Sequence, residues 1–144
     1  MTKPHTPPPG SQDAALSVGI TITGGQVSFS GSAGVVSPTG DLDLSKLGGG
    51  GVQIFMIIQT AGYCFYNDGS NSAAEALFLA AKQVDKDKSR ALPSVFKDAA
   101  LNPPYFNVLA LTSKNNDKKT YYYTLNFVDS YNKILSYDPI IINN

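Results

Sequence analysis

The stretch "ALSVGITITGGQVSFS", Ala15 to Ser30, constrains the fold more than any other part of the chain. Leu16, Val18, Ile20 and Ile22 alternate with Ser17, Gly19, Thr21 and Thr23, and Val27 and Phe29 resume the alternation after Gly24-Gly25. A period of two puts successive side chains on opposite faces of a strand, so this segment has one apolar and one polar face. Both turn positions are glycine, which takes positive φ without steric cost, and this predicts a tight β-hairpin.

Most of the remaining chain has a similar strand-and-turn character. "VQIFMIIQT", Val52 to Thr60, is nearly continuous in apolar and branched residues, as a central strand covered on both faces requires. Residues 105–113 form another strand, and "KNNDKK" after it reads as a polar hairpin loop. Tyr121, Tyr123, Leu125 and Phe127 then share one face, Tyr122, Thr124, Asn126 and Val128 the other, and "DSYNK" turns the chain into "ILSYDPIII". Pro139 has no backbone donor, so the last strand is an edge strand or is bulged there, and Asp138 before it is held extended. Leu42 and Leu44 share a face after the turn at Pro38-Thr39-Gly40, and the run Gly48 to Gly51 is too pliant for a regular element. No Gly-Lys-Ser/Thr follows those glycines, and a strand stands where a phosphate loop would lead into a helix.

One segment departs from the pattern. Ser72 and Glu75 have capping-box spacing, and "AAEALFLAAKQV" is rich in good helix formers, which predicts a short helix over residues 73–84. The competing reading places Leu77 and Leu79 on a strand, because Phe78 makes the stretch apolar all round. Pro93 and Pro103-Pro104 then punctuate a loop-rich crossing. The fold expected is all-β: an antiparallel β-sandwich, jelly-roll-like as a variant, with one short helix. Residues 15–144 form its single domain, a reasonable size for one core.

Residues 1–14 begin "MTKPHTPPPGSQD" and read as a flexible arm, with too little apolar surface to fold and no apolar core of a secretory signal. The expected location is therefore cytoplasmic. Apolar runs fall far short of the roughly 20 residues of a membrane helix, so a soluble chain without membrane insertion is expected. Lys and Arg number 11 against 11 Asp and Glu, which leaves no net field to attract nucleic acid or an anionic membrane. The same sparse charge weakens repulsion between copies.

Chemistry-bearing residues are few. His5, the one histidine, lies in the arm without a fixed partner, and Cys64, between Tyr63 and Phe65, reads as an inert core thiol. Asp41 and Asp43 share a polar strand face and read as solvated rather than as a carboxylate pair. Asn67, Asp68, Gly69, Ser70 and Asn71 form an oxygen-rich loop without the spacing of a Ca²⁺ site. Candidate ligand-binding residues are Asn67, Asp68, Asn71 and Asn132, which could bond sugar hydroxyls, with Tyr122 and Tyr131, which could stack on a sugar ring. No catalytic residue, metal site or cofactor is expected.

The closing "YYYTLNFVDSYNKILSYDPIIINN" resembles the end of the AidA/PixA family of bacterial inclusion-body proteins. Those proteins close with aromatic residues, a turn, and a strand of the type Gly-Tyr-x-x-Trp-Asp-Pro-Tyr-Ile. The matching positions are Tyr137, Asp138, Pro139, Ile140 and Ile141, and "VQIFMIIQT" with Gly62 is similar to the family's inner strand. About a third of the chain is covered. Tyr137 stands where the family usually has Trp, and Asn132 where it usually has Gly. The resemblance implies a β-sandwich that accumulates in inclusions under population-density or late-growth control, with no established enzymatic reaction.

The function expected is thus that of a non-catalytic, self-associating protein, copies adding to one another through edge strands such as that ending in "IIINN". The alternative is a lectin-like module with a glycan partner.

Overall fold

The structure, a computed structural model, describes residues 14–48, 50–82 and 92–144. Residues 1–13 of the arm, including His5, and the end of the expected helix, 83–84, lie outside the described residues, while Ala14, expected in the arm, opens the first strand. The chain is all-β, with its strands in two sheets.

The first sheet has the order β2-β1-β4-β8-β7. Strands β1 (Ala14–Thr23) and β2 (Gln26–Ser30) form the expected hairpin, with Thr23 opposite Gln26 and positive φ at both Gly24 and Gly25. β4 (Val52–Ile58) is central, between β1 and β8 (Val108–Ser113), and β7 (Phe96–Leu101) closes the far edge. Its covering is one-sided, however: Val52, Ile54, Met56 and Ile58 are buried, whereas Gln53 is exposed and Phe55 and Ile57 are half-buried. The two-faced burial expected of it is not observed.

The second sheet is organised by one long strand, β9 (Thr120–Asp129). On one side of β9 lie β5 (Tyr63–Phe65), opposite Phe127–Asp129, and β6 (Leu77–Ala80), opposite Tyr122–Leu125. On the other lie β10 (Ile134–Tyr137) and β11 (Ile140–Ile142), and beyond β11 the short β3 (Leu42–Asp43). Tyr121, Tyr123, Leu125 and Phe127 point inward and are buried with the apolar face of the first sheet in one cluster. The rings of Phe29 and Tyr137, one from each sheet, meet at 5.4 Å between centroids.

Three further expectations are corrected. Residues 77–80 are strand rather than helix, and Ala73 starts a turn whose carbonyl accepts the amides of Ala76 and Leu77. The long hydrogen-bonding edge of β9 and the alternating burial of Leu77 and Leu79 outweigh local helix propensity. The one helical turn among the described residues lies elsewhere, a 3-10 turn at Leu44–Leu47 capped by Asp43, whose carboxylate accepts the Ser45 amide. The sheets are also not purely antiparallel: β1 runs parallel to β4, and β11 parallel to β3. Finally, "KNNDKK" is not a hairpin loop, because it carries the chain from β8 in the first sheet to β9 in the second.

The glycine run is explained by a residue distant in sequence. Asn115 is fully buried with φ 56°, and its amide nitrogen lies within 3.1–3.3 Å of the carbonyl oxygens of Leu44, Gly48 and Gly50. Backbone carbonyls here converge on a side chain, so the segment forgoes a ladder of its own.

Candidate functional site

Side chains at alternate β9 positions rise from the outer face of the second sheet, and the register sets their neighbours. Cys64, Val128 and Ile134 form one row across β5, β9 and β10. Phe78, Thr124 and Asp138 belong to another, and Ala80, Tyr122 and Ile140 to a third. Between the first two, Asn126 takes the Tyr66 amide on its carbonyl and gives its own amide to Ala76, both at 2.9 Å. Its side chain donates to Glu75 O at 3.0 Å and accepts from Ser136 Oγ at 2.6 Å. Through these four bonds Asn126 locks the 66–76 loop and β10 to the spine.

A cleft of about 480 Å³ lies over the first row. Val128 and Ile134 lie on its floor, Tyr66 lines it from the end of β5, and Asp129, Ser130 and Asn132 line it from the β9–β10 turn. A smaller depression of about 210 Å³ adjoins it over Glu75, Phe78 and Asn126, sharing Tyr66 and Ile134. The turn is built by Asp129, whose Oδ1 accepts the amides of Tyr131 at 2.8 Å and Lys133 at 2.9 Å. Asn132 sits at φ 61°, a conformation that glycine and asparagine tolerate best.

Of the candidate residues, the cleft brings Asn67 and Asn132 together. Asn67 is occupied by its own loop: Nδ2 donates to Phe65 O at 2.9 Å, and Oδ1 accepts the Gly69 amide at 3.1 Å. Asp68 likewise takes the Ser70 hydroxyl and amide, which hold its carboxyl below the usual carboxylate range. Asn71 binds Leu101 through its backbone carbonyl. Tyr131 is 84% exposed at the turn tip, and Tyr122 stands on the same sheet face three rows from Val128. Neither lines it. The cleft's other polar residues, Asp129 and Ser130, and its apolar ones lie in "DSYNKI" and "FVD", which read only as a turn and a strand. Their convergence with Tyr66 depends on the β5–β9 pairing, for which local sequence carries no signal.

Cys64 is half-buried beside the cleft rather than in the core, and burial pushes its thiol up, away from the reactive thiolate. Asp41 and Asp43 are not merely solvated: Asp41 accepts the Ile140 amide at 3.1 Å, and Asp43 caps the 3-10 turn. Among the described residues no group of three His, Cys, Asp or Glu side chains is placed to hold a metal. No described helix is long and apolar enough to cross a membrane.

The closing motif has a structural explanation. Every residue of β10 and β11 falls opposite the β9 residue that a single unbroken strand would give, so Pro139 interrupts the ladder without a bulge. Pro139 contributes its carbonyl, which accepts the Tyr123 amide at 3.0 Å. Asp138 accepts from Thr124 Oγ1 across the strand pair at 3.0 Å. Tyr137 packs on the core against Phe29.

The "IIINN" end is not a free edge. β11 is flanked by β9 and β3, and Asn143 N–H donates to Lys119 O at 2.9 Å while Asn144 O accepts the Lys118 amide at 3.0 Å. β10 differs. The Asp129 amide donates to Lys133 O and the Tyr123 amide to Pro139 O, and alternate residues of an antiparallel strand turn their backbone groups the same way. The odd-numbered residues of β10 thus face β9, and the amides and carbonyls of Ile134 and Ser136 point outward.

No family model matches the chain, and no curated protein matches it in sequence.

Proposed function

We propose that the chain is a non-catalytic, self-associating protein of the inclusion-body type, as its resemblance to the AidA/PixA family suggests, acting in the bacterial cytoplasm. The observation that carries this reading is the β10 edge. Ile134 and Ser136 present backbone donors and acceptors outward, β10 holds no charge and no proline, and the Ile134 side chain is 58% exposed. Natural edges are usually blunted by charge, proline, bulges or cover.

Three of the other edges carry such devices. β7 is bulged between Lys97 and Ala100, with Asp98 at φ 58°. β2 is held at Phe29 by the Pro38 carbonyl, and β3 is covered by Val35 and Val36. Balanced charge leaves little repulsion to keep copies apart. Four residues make a short zipper, so the association is weak for a single contact and grows with concentration, which suits an abundant protein. Asn132 also supports the resemblance, because its positive φ is one that the family's glycine adopts as readily.

Light scattering over a concentration series tests the reading. The mean mass rises with concentration for the wild type and stays at one chain for Ser136→Pro, which removes an outward N–H and the Ser136 Oγ bond to Asn126 but keeps the backbone bonds of Leu135 and Tyr137 to β9. A wild type that remains one chain at its highest attainable concentration overturns it.

A further inference from the structure

We infer that the cleft over Val128 and Ile134 is a binding site for a neutral saccharide. This goes beyond self-association and does not depend on it. The volume, about 480 Å³, falls within the roughly 300–1,000 Å³ of small-molecule sites.

Its chemistry is divided as a pyranose ring is divided. Val128, Ile134 and the Tyr66 ring offer an apolar surface of the kind that the C–H face of a sugar covers. Around them stand groups suited to hydroxyls: the Asn132 amide, the Ser130 and Tyr66 hydroxyls and the Asp129 carboxylate. Asp129 has Oδ2 to spare after Oδ1 has taken the amides of Tyr131 and Lys133. Asn132 offers both donor and acceptor, the hydroxyls do likewise, and Asp129 accepts only. A vicinal diol presents the matching set.

The sign of the charge narrows the ligand. The formal charge lining the cleft is that of Asp129, which is negative, and no Lys or Arg among the described residues lines it. A phosphate, sulfate or sialylated sugar would meet repulsion there. Two built features favour binding over a chance hollow. Asp129 fixes the turn that carries Ser130 and Asn132, and Asn126 fixes the opposite wall, so little ordering remains to be done when a ligand enters.

The test is an NMR titration of the full chain with galactose, mannose and N-acetylglucosamine, and in parallel with inorganic phosphate and N-acetylneuraminic acid. At least one neutral sugar should shift the amide resonances of Val128, Ser130 and Asn132. Ser130→Ala and Asn132→Gly, the latter chosen because glycine keeps the positive φ, should each weaken that sugar by about five- to tenfold, the loss of one hydrogen bond. The titration is run at a concentration at which light scattering shows a single chain, so the site and the self-association stand or fall separately. Three results each overturn the inference: no neutral sugar shifting these resonances, the two anions shifting them as strongly, or the two cleft variants binding unchanged.

Discussion

The carboxamide oxygen of Asn115 accepts the backbone amide of Asn144 at 2.6 Å, and so ties the end of the chain to the loop that leaves β8. The same side chain donates toward the carbonyls of Leu44, Gly48 and Gly50, while Ser113 Oγ donates to Asn143 Oδ1 at 2.8 Å. One buried amide thereby joins the 3-10 turn, the glycine run and the terminus. The clasp continues from β11, which β9 and β3 flank, whereas β10 has no strand on its outer side among the described residues.

Asn115→Ala should therefore destabilise the fold by about 3 kcal/mol in urea denaturation, because it strands buried carbonyls and places alanine at positive φ. Asn115→Gly relieves the backbone and should recover under half of that loss. Equal losses in the two variants would assign the cost to the missing hydrogen bonds alone.

Gly40→Ala should cost at least about 2 kcal/mol. Gly40 has φ 86°, and a Cβ there would lie 2.6 Å from Phe29 Cε1. Phe29→Leu in the same chain removes the clash but not the strain, so a thermodynamic cycle should show partial rescue. A cost of Gly40→Ala within experimental error of zero would contradict this packing.

Asp117 and Tyr121 couple stability to pH. Burial raises the Tyr121 hydroxyl first, its bond to the Asp117 carboxylate adds to the effect, and together they push it from 10 up to about 12. A raised folded-state value stabilises below pH 10, and that contribution is lost as pH rises through about 12. For Asp117 burial acts upward, but hydrogen bonds from Tyr121, the Lys119 amide and Asn143, with the Lys119 charge, hold it below 3.8. Its contribution is present above that value and lost in acid as pH falls through the lowered one. Thermal melting of Tyr121→Phe should weaken both the alkaline slope, to which the buried Tyr123 hydroxyl also contributes, and the acidic one; an unchanged alkaline slope would show that Tyr121 takes no part in it.

Asp138→Asn should change stability by no more than about 1 kcal/mol, because Asp138 is exposed and the amide oxygen can still accept from Thr124. A larger loss in denaturant titration would mean that the charge itself matters. Tyr137→Ala, which removes a ring packed on Phe29, should cost about 3 kcal/mol by the same measurement.

The β1–β2 hairpin is legible in the sequence because alternation and Gly24-Gly25 are local signals. Leu77–Ala80 is not, since alanine and leucine favour a helix and only the β9 edge makes them a strand. Pro139 correctly signals a missing ladder bond, yet whether the strand bulges there depends on the pairing of β11 with β9 and β3. The cleft is half legible: Asn67 and Asn132 stand out as polar loop residues, while Tyr66, Asp129 and Ser130 join them only through tertiary register. Asn115 and Asn126 read as ordinary loop and strand amides, because a buried amide hub looks no different in sequence from a solvated one.

The most direct test of the central proposal is amide hydrogen exchange at Ile134 and Ser136, followed as concentration rises. In a single chain these two amides point outward and exchange quickly, whereas those of Leu135 and Tyr137 are protected by β9. If copies add at β10, protection at Ile134 and Ser136 grows in step with mean mass. Fast exchange at both residues in samples whose mass has already increased would contradict the account.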